Sequence, residues 1–309
     1  MKFAVLFPGQ GAQFVGMAKD LAAAFPEAKA VFQEADSILN YPLSRICWEG
    51  PQEALVRTEH CQPALYVSSL AAWAALEAAA GKGQLQPAAG AGLSLGEYTA
   101  LASAGAYSFA DGLRLVRLRG QAMEEAAKMA AGTMASVMGL ELDLLETICT
   151  EAGAQVANIN APGQIVISGT PTAVAAASEK AKEKGAKRVV PLEVGGAFHS
   201  RLMEPASVKL QQALASVPLQ PLRYAVLSNM TGVVYPNAEA ARTLLAQQLT
   251  QPVRWESCVR VLAGMGIRRF LEVGPGTVLK GLCRRIDPDA EVLSVGTADQ
   301  VQEAAAQWA

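Results

Sequence analysis

Charge, histidine and long apolar runs are all scarce in this 309-residue chain, and each shortage excludes a class of function. Charged residues make up 17%, and 26 basic against 28 acidic side chains leave a net charge of −2. This balance argues against a general nucleic-acid-binding protein and against a polybasic membrane anchor. The longest apolar stretch, residues 64–80, contains Ser68, Ser69 and Glu77 and falls short of a membrane span.

Side chains that bind metal ions or form disulfides are also few. The chain has two histidines, His60 and His199, and an odd number of cysteines without a Cys-x-x-Cys pair. No zinc-type ligand cluster can be assembled from this set, so we expect no metal site. The wide spacing of the thiols indicates buried, reduced cysteines in the cytosol. They are Cys47, Cys61, Cys149, Cys258 and Cys283.

The amino-terminal apolar run, Phe3 to Phe7, ends at Pro8-Gly9-Gln10 before the core of a signal peptide could form. Together with the cysteine usage, this predicts a cytoplasmic protein. We expect no membrane and no nucleic-acid partner, and no bound cofactor.

The order of predicted elements indicates an α/β fold of about two domains. Strands and helices alternate along most of the chain, which predicts a mostly parallel sheet with helices on both faces and ligands at the carboxyl ends of its strands. From about Gly132 to Glu193 the order becomes β-α-β-β-α-β, the split βαβ pattern of a ferredoxin-like unit. We therefore predict a catalytic domain of residues 1–130 and 195–309, with residues 131–194 inserted as a small subdomain.

Periodicity and turn signals place the elements that surround the candidate site. Lys2 to Phe7 is predicted as a buried strand, and residues 88–92 (AAGAG) form a poor strand by propensity. Further predicted elements are helices over Ala12–Ala24, Glu27–Leu39, Pro63–Ala80, Phe109–Ala127, Arg201–Ser216 and Ala238–Gln248, and a strand over Arg223–Ser228.

A possible nucleophile stands in Gly92-Leu93-Ser94-Leu95-Gly96, which matches the G-x-S-x-G elbow. Flanking glycines allow the tight strand-to-helix turn that exposes a serine hydroxyl at a helix amino terminus. The motif alone is weak, and a Gly-Ser turn that caps a helix is the competing interpretation.

A serine nucleophile needs a base, and the chain offers two histidines. His60 precedes a predicted helix, where local capping is the ordinary role. His199 follows the last strand of the insert, a strand-end position at which catalytic groups are often placed. We favour His199, although a capping or buried structural histidine is the alternative. No acid stands out as a third member, so a dyad, or orientation of the ring by an amide or carbonyl, is expected.

Arg119 lies on the apolar side of its predicted helix. At 100° per residue, it falls among Leu115, Val116, Leu118 and Met123, whereas other charges of the helix lie opposite. A buried arginine needs an anionic partner. An internal salt bridge and a substrate carboxylate are both open, and the planar fork suits a carboxylate ligand.

The loop FPGQGAQ (residues 7–13) does not fit a nucleotide-binding pattern. The dinucleotide motif needs a glycine where the chain has Phe14, and a P-loop needs Gly-Lys-Ser or Gly-Lys-Thr. A tight loop that exposes backbone N–H groups as an oxyanion hole is the better interpretation.

The chain resembles the malonyl-CoA:acyl carrier protein transacylase family and the acyltransferase domains of polyketide synthases. The resemblance rests on eight motifs in the family's order and spacing along nearly the whole chain. They are FPGQGAQ, GLSLGEYTAL, VRLRGQAM, NINAPGQIVISG, GAFHSRLM, LSNMTG, QLTQPVRW and FLEVGPG. The resemblance implies an α/β-hydrolase-like core with a ferredoxin-like insert, in a monomeric enzyme.

The resemblance also implies residue roles. Ser94 would carry the malonyl group as an ester, His199 would be the general base and then the acid, and Arg119 would bind the malonyl carboxylate. Backbone N–H groups of Gln10 and Leu95 would form the oxyanion hole. The remaining implied residues are Gln248, which orients His199 through its carbonyl, Gln62 and Asn160, which line the acyl pocket, and Phe198, which disfavours branched acyl groups such as methylmalonyl. The acyl acceptor would be the phosphopantetheine thiol of an acyl carrier protein, in fatty-acid or polyketide synthesis.

One position departs from the family, which usually has histidine where this chain has Leu93. We expect activity to survive, with some change in rate or pH profile. Two other functions remain open, a thioester hydrolase and a catalytically silent carrier-docking module. Because carrier proteins are acidic, a local basic patch is expected. The candidates are Arg114, Arg117, Arg284 and Arg285.

Overall fold

The main sheet consists of five parallel strands in the computed structural model, which describes residues 2–308. The strands are β1 (Ala4–Phe7), β2 (Ala89–Gly92), β7 (Ala225–Val226), β8 (Arg269–Val273) and β9 (Glu291–Val295). Their order across the sheet is β7-β2-β1-β8-β9, and every neighbouring pair is parallel. This confirms the predicted parallel-sheet core.

Helices cover both faces of this sheet, and the side chains of β1 alternate between two apolar clusters. Val5 and Phe7 pack in the larger cluster, whereas Ala4 and Leu6 pack in the other. Burial on both faces explains why β1 is a continuous apolar run. The helices are α1 (Lys19–Ala24), α2 (Pro26–Leu39), α3 (Leu43–Glu49), α4 (Gln52–Val56), α5 (Thr58–Ala80), α6 (Leu95–Ser103), α7 (Phe109–Met129), α10 (Glu204–Ser216), α11 (Ala241–Gln248), α12 (Trp255–Gly264), α13 (Val278–Ile286) and α14 (Ala298–Trp308).

A second, antiparallel sheet has the predicted β-α-β-β-α-β order. Its strands lie in the order β4-β5-β3-β6 and enclose an apolar core of their own against two helices. The elements are β3 (Thr133–Met138), α8 (Leu142–Ala152), β4 (Gln155–Ala161), β5 (Gln164–Gly169), α9 (Pro171–Glu183) and β6 (Arg188–Leu192). The boundaries at residues 131 and 194 stay a prediction.

The small sheet is attached to the large domain through β4. The Ile159 N–H donates to the Val253 carbonyl oxygen, and the Val253 N–H donates to the Ala157 carbonyl oxygen, both at 2.8 Å. These bonds place β4 beside α12 and bring its residues toward the carboxyl end of the parallel sheet. No helix within residues 2–308 is both long and apolar enough to cross a membrane.

Several predicted boundaries were wrong. The helix predicted over Ala12–Ala24 begins at Lys19, because turns with positive φ at Gly11, Gly16 and Ala18 occupy its first part. Helix α5 begins before Pro63, at Thr58, and the strand predicted over Arg223–Ser228 is reduced to two residues.

The weak AAGAG segment contains β2, which lies between β1 and β7 near the centre of the sheet. At Gly90 an added Cβ would lie 2.9 Å from the Tyr224 ring, so the absent side chains make room for close packing. Tertiary packing here overrides β-propensity.

Candidate active site

Ser94 stands on a strained turn between β2 and α6. Its φ of 52° and ψ of −101° are unusual for a residue other than glycine. A Cβ at Gly92 would lie 1.9 Å from the Gly96 carbonyl carbon, and a Cβ at Gly96 would lie 2.1 Å from the Phe7 oxygen. Both glycines of the motif are therefore required for the turn to close, which favours a nucleophile elbow over a simple cap.

His199 lies directly beside Ser94. Its Nε2 is 2.8 Å from Ser94 Oγ, and its Nδ1 is 2.8 Å from the main-chain oxygen of Gln248. Because a carbonyl oxygen can only accept, Nδ1 carries the proton and Nε2 is free to accept one from the serine. A backbone carbonyl thus occupies the place of the acid in a Ser-His-Asp triad.

The environment of His199 keeps its imidazole neutral. Burial, followed by the positive charge of Arg119, lowers the pKa of His199 to about 4, although its bond to the Gln248 carbonyl opposes this shift. A neutral imidazole is the form that a general base requires.

The other histidine is remote from the nucleophile. His60 lies in the first turn of α5, where its Nδ1 is 3.0 Å from the Ala54 oxygen and its ring packs on Tyr41. Its contacts are local, so His199 is the histidine that the fold places at Ser94.

Arg119 is almost completely buried, with 1% of its surface exposed. Its Nη2 donates to Ser94 Oγ and to Gln248 Oε1, each at 3.0 Å, and its Nη1 donates to Gln62 Oε1 at 2.8 Å. Within residues 2–308 no carboxylate lies within 4.0 Å of the guanidinium. The internal salt bridge that the sequence left open is therefore absent from this part of the chain.

Gln62 differs from its expected place. It is fully buried on α5, behind the guanidinium of Arg119, and it is not part of the cavity wall. Its Nε2 lies 3.2 Å from the Met123 sulfur, so its oxygen faces Arg119. Gln62 orients the arginine rather than lining the acyl pocket.

The two backbone N–H groups expected to form the oxyanion hole belong to the loop after β1, at Gln10, and to the start of α6, at Leu95. A Cβ at Gly9 would lie 2.3 Å from the Leu93 oxygen, so this loop packs backbone to backbone on the elbow. Leu95 is the first residue of α6, and the N–H of such a residue has no acceptor within its helix. Neither the Gln10 nor the Leu95 N–H bonds to an acceptor elsewhere in residues 2–308. Both groups are thus available beside Ser94.

These groups meet in a cavity of about 230 Å³ between the parallel sheet and the small sheet. Asn160, Phe198 and Leu93 line it as well, as does Val278 from the start of α13. Leu93 makes no side-chain hydrogen bond to Ser94 or His199, because it is apolar.

The side chains that commonly bind metal ions are dispersed over residues 2–308. Among residues 2–308, no three His, Cys, Asp or Glu side chains come together as a metal site. All five cysteines are buried and unpaired.

The four arginines proposed as a basic patch fall on two helices. Arg114 faces Asp111, and Arg117 is half-buried against the Leu39 oxygen and the Tyr41 ring, which differs from its predicted solvated position. On α13, Arg285 bonds to Gln164, a residue of the cavity wall. Arg285 therefore lies beside the cavity wall, and Arg284 is an exposed residue of the same helix.

Comparison with known proteins agrees with this geometry. The acyl transferase domain family model matches residues 5–307. Malonyl CoA-acyl carrier protein transacylase of Bacillus subtilis (strain 168) is 43% identical over 306 residues, which span 97% of this chain and 95% of that protein. The chain belongs to the malonyl CoA-acyl carrier protein transacylase family. The resemblance inferred from its motifs is confirmed.

Solved structures of this transacylase family have the same fold. The transacylase of Coxiella burnetii has a TM-score of 0.96 at 38% identity, covering 100% of this chain and 98% of that one. A malonyl-transacylase in complex with a type II polyketide synthase acyl-carrier protein has a TM-score of 0.95 at 38% identity, with 99% and 100% covered.

Three polar residues of this transacylase site were missed by sequence reasoning. Asn229 accepts from the Ser94 N–H at 2.6 Å and donates to the Gly92 oxygen at 2.8 Å, which braces the elbow. Glu97 and Tyr235 are hydrogen-bonded to each other beneath it. Glu97 and Asn229 lie inside the motifs GLSLGEYTAL and LSNMTG, and this position was the sequence signal that could have identified them. Tyr235 had none.

Proposed function

We propose that this protein transfers a malonyl group from malonyl-CoA to the phosphopantetheine thiol of an acyl carrier protein through a malonyl ester on Ser94. The observation that carries the proposal is the buried Arg119, which lies 3.0 Å from Ser94 Oγ and has no carboxylate partner within salt-bridge distance in residues 2–308. A buried cation beside a nucleophile favours an acyl group with its own carboxylate.

The substrate carboxylate binds the guanidinium of Arg119. To do so it takes over the Nη2 group that now donates to Ser94 Oγ, while Gln62 and Gln248 hold the guanidinium plane from behind. The carboxylate also cancels the positive charge that lowers the pKa of His199. Binding of malonyl therefore frees the serine oxygen and strengthens its base.

Acylation then proceeds by addition and elimination. His199 Nε2 takes the Ser94 hydroxyl proton as Oγ bonds to the thioester carbonyl carbon, and the N–H groups of Gln10 and Leu95 stabilise the oxyanion. The C–S bond breaks, and protonated His199 returns its proton to the coenzyme A sulfur. Malonyl-Ser94 and free coenzyme A result.

Transfer to the carrier repeats these steps in reverse. The carrier thiol gives its proton to His199 and attacks the ester, and Ser94 leaves with the proton returned. The reaction needs no bound cofactor, because the acyl group arrives and departs as a thioester. The cytoplasmic location and the fatty-acid or polyketide pathway stay predictions.

Intact-protein mass spectrometry tests this proposal. After brief mixing with malonyl-CoA, we expect a malonyl adduct that is absent in Ser94→Ala, reduced in Arg119→Ala and lost on addition of phosphopantetheinylated carrier protein, which gains it. An adduct that decays to water and ignores the carrier would instead indicate a hydrolase. No adduct at all would indicate a docking module.

A further inference from the structure

A buried carboxylate beneath the elbow has no role in the steps above. Glu97 is the third residue of α6 and is fully buried. Its two oxygens accept hydrogen bonds from the Tyr235 hydroxyl and from Gln248 Nε2. In residues 2–308 it forms no salt bridge, although burying a carboxylate without one is costly.

Glu97 reaches the reacting groups through one residue, Gln248. The main-chain oxygen of Gln248 accepts a hydrogen bond from His199. The side chain of Gln248 accepts from Arg119 through Oε1 and donates to the main-chain oxygen of Ser94 through Nε2, each at 3.0 Å. Gln248 therefore touches the base, the arginine and the backbone of the nucleophile at once.

Glu97 is one of three groups that fix the orientation of the Gln248 amide, together with the main-chain oxygen of Ser94 and the guanidinium of Arg119. An amide presents an acceptor on one side and a donor on the other, and its neighbours decide which way it faces. The Glu97 carboxylate and the Ser94 carbonyl offer only acceptors, so the NH₂ group faces them, and Arg119 offers only donors, so the oxygen faces Arg119. A neutral carboxamide at position 97 would remove the charged member of this set and could itself present a donor to the NH₂ group.

The same arrangement balances charge without blocking the binding site. The Gln248 amide stands between the guanidinium of Arg119 and the carboxylate of Glu97, so the two charges face each other across one polarised group. A carboxylate in direct contact with Arg119 would compete with the substrate. At one amide's distance it stabilises the cation and leaves it free to bind malonyl.

We propose that Glu97 is a positioning residue, whose carboxylate acts through Gln248 to orient Arg119 and His199 and to supply the negative charge that buried Arg119 needs before substrate binds. This inference rests on the proposed malonyl transfer. It predicts that loss of the carboxylate lowers kcat and raises KM, because Gln248 contacts the base through its main-chain oxygen and the substrate-binding arginine through its side chain.

The pH dependence offers a readout that a purely structural role would not change. Burial raises the pKa of Glu97 to about 7, against the opposing effects of Tyr235, Gln248 and Arg119. Below this pH the carboxylate is protonated, and Arg119 loses its counter-charge.

The titratable or charged groups that face this cluster are Tyr98, Tyr107, Arg119, His199, Tyr235 and Cys258. Burial raises the pKa of the tyrosines and the cysteine above the working range, and the pKa of His199 is about 4, so Glu97 is the group expected to titrate between pH 5 and 8.

The experiment compares the wild type with Glu97→Gln and Glu97→Asp, and uses Glu77→Gln as a matched control at a half-buried carboxylate on α5, outside the cavity wall. Initial rates with malonyl-CoA and carrier protein are measured from pH 5 to 8.5. We expect Glu97→Gln to lower kcat by about 10- to 100-fold and to raise KM, since small misplacements of reacting groups cost up to about 10²-fold. Its residual kcat should lack the decline below pH 7 that we expect for the wild type. Glu97→Asp should recover part of the rate, and Glu77→Gln should match the wild type.

A spectroscopic measurement separates positioning from folding. With two histidines in the chain, ring-¹⁵N labelling yields two imidazole signals, of which His60 is an internal reference. Glu97→Gln should shift the signals of His199 and leave those of His60 unchanged. If Glu97→Gln does not fold, Tyr235→Phe, which removes the other donor to Glu97, must lower kcat and shift His199 in the same way.

Wild-type kcat, KM and pH profile in the folded variant would overturn the inference. So would a loss of activity that follows the unfolding temperature while the His199 signals stay in place. Failure of the wild type to form malonyl-Ser94 would refute the proposed function instead, so the two failures are distinguishable.

Discussion

The two sheets of this molecule treat polar groups in opposite ways. Between residues 133 and 192, Ser168 is the single buried polar side chain, and the core of the small sheet is otherwise apolar. The carboxyl end of the parallel sheet buries a charged arginine, a carboxylate and a histidine together, and both Ser94 and His199 have positive φ. Two strained backbone positions and a cluster of buried charges thus meet at the site, while the small sheet has the composition of a stable core.

The irregular part of the small sheet supports the same distinction. Strand β4 departs from regular pairing with β5 between Val156 and Asn158 and again between Ile159 and Ala161. This is the stretch that meets α12 and brings Asn160 into the cavity wall. Irregular pairing of this kind redirects side chains next to functional sites. The regular part of the small sheet therefore contributes stability, whereas the irregular part shapes the cavity wall.

The sharpest contrast is expected at Ser94. Replacing it by alanine or glycine should abolish the malonyl adduct and lower kcat by about 10⁶-fold, since the nucleophile is lost. Glycine should also raise the free energy of unfolding by about 1 kcal/mol relative to alanine, because it relieves the strained φ. Mass spectrometry and urea unfolding measure the two effects. Equal stability of the variants would show that the elbow stores no strain.

A smaller loss is expected when Arg119 is replaced by lysine. A lysine cannot form the planar pair of charge-assisted bonds, so kcat/KM for malonyl-CoA should fall by about 10²- to 10³-fold. Steady-state kinetics measure this, with Arg114→Lys on the exposed side of the same helix as the control. Unchanged malonyl kinetics would remove the carboxylate-binding role.

In the small sheet, a substitution is expected to lower stability rather than activity. Ile167 is fully buried on β5, and Ile167→Ala should lower the free energy of unfolding by about 2–5 kcal/mol while leaving kcat within about twofold at temperatures where the protein is folded. The control is Leu144→Ala on α8, where the side chain is 38% exposed. A large kcat effect of Ile167→Ala would mean that the small sheet shapes the chemistry and would break the comparison.

Stability should depend on pH through His199. Its folded-state pKa of about 4 lies below the ordinary 6.5, so its contribution is present above pH 6.5 and is lost as pH falls through 4. Relative to His199→Gln, the wild type should lose about 3 kcal/mol of unfolding free energy over that window. Urea unfolding at a series of pH values measures the difference. Parallel curves for the two proteins would contradict it.

The smallest effect is expected at Leu93. Its side chain lines the cavity but takes no part in the hydrogen bonds among Ser94, His199 and Gln248. Leu93→His, which restores the residue usual in the family, should therefore change kcat by less than about 5-fold, the scale of one modest contact. A gain of 100-fold would show that this position tunes the nucleophile.

Much of the fold could be predicted from the sequence, and the misses have physical causes. The β-α-β-β-α-β order was readable because those segments have local apolar periods. Strand β2 was not, because its glycines and alanines suit the packing of α6 and Tyr224 rather than any strand propensity. The helix predicted from Ala12 was wrong because glycine turns, not periodicity, govern that loop.

The candidate site was predicted in part. Ser94, His199, Arg119, Gln10, Leu95 and Gln248 were named in advance and lie together in the structure. Gln62 was expected in the pocket wall but lies behind Arg119, and Glu97, Asn229 and Tyr235 were missed, because a polar residue in a helix or turn gives no sign of which donors will surround it.

The sequence by itself determined the chemistry that is possible here. One serine between glycines, two histidines and an arginine on an apolar helix face restrict the nucleophile, the base and the substrate charge. The tertiary structure decided which histidine meets Ser94, what orients its ring and what balances Arg119. These depend on contacts across more than a hundred residues, such as Ser94 to Gln248 and Glu97 to Tyr235. Local patterns carry no information on such contacts, because only the packing of the whole sheet brings the partners together.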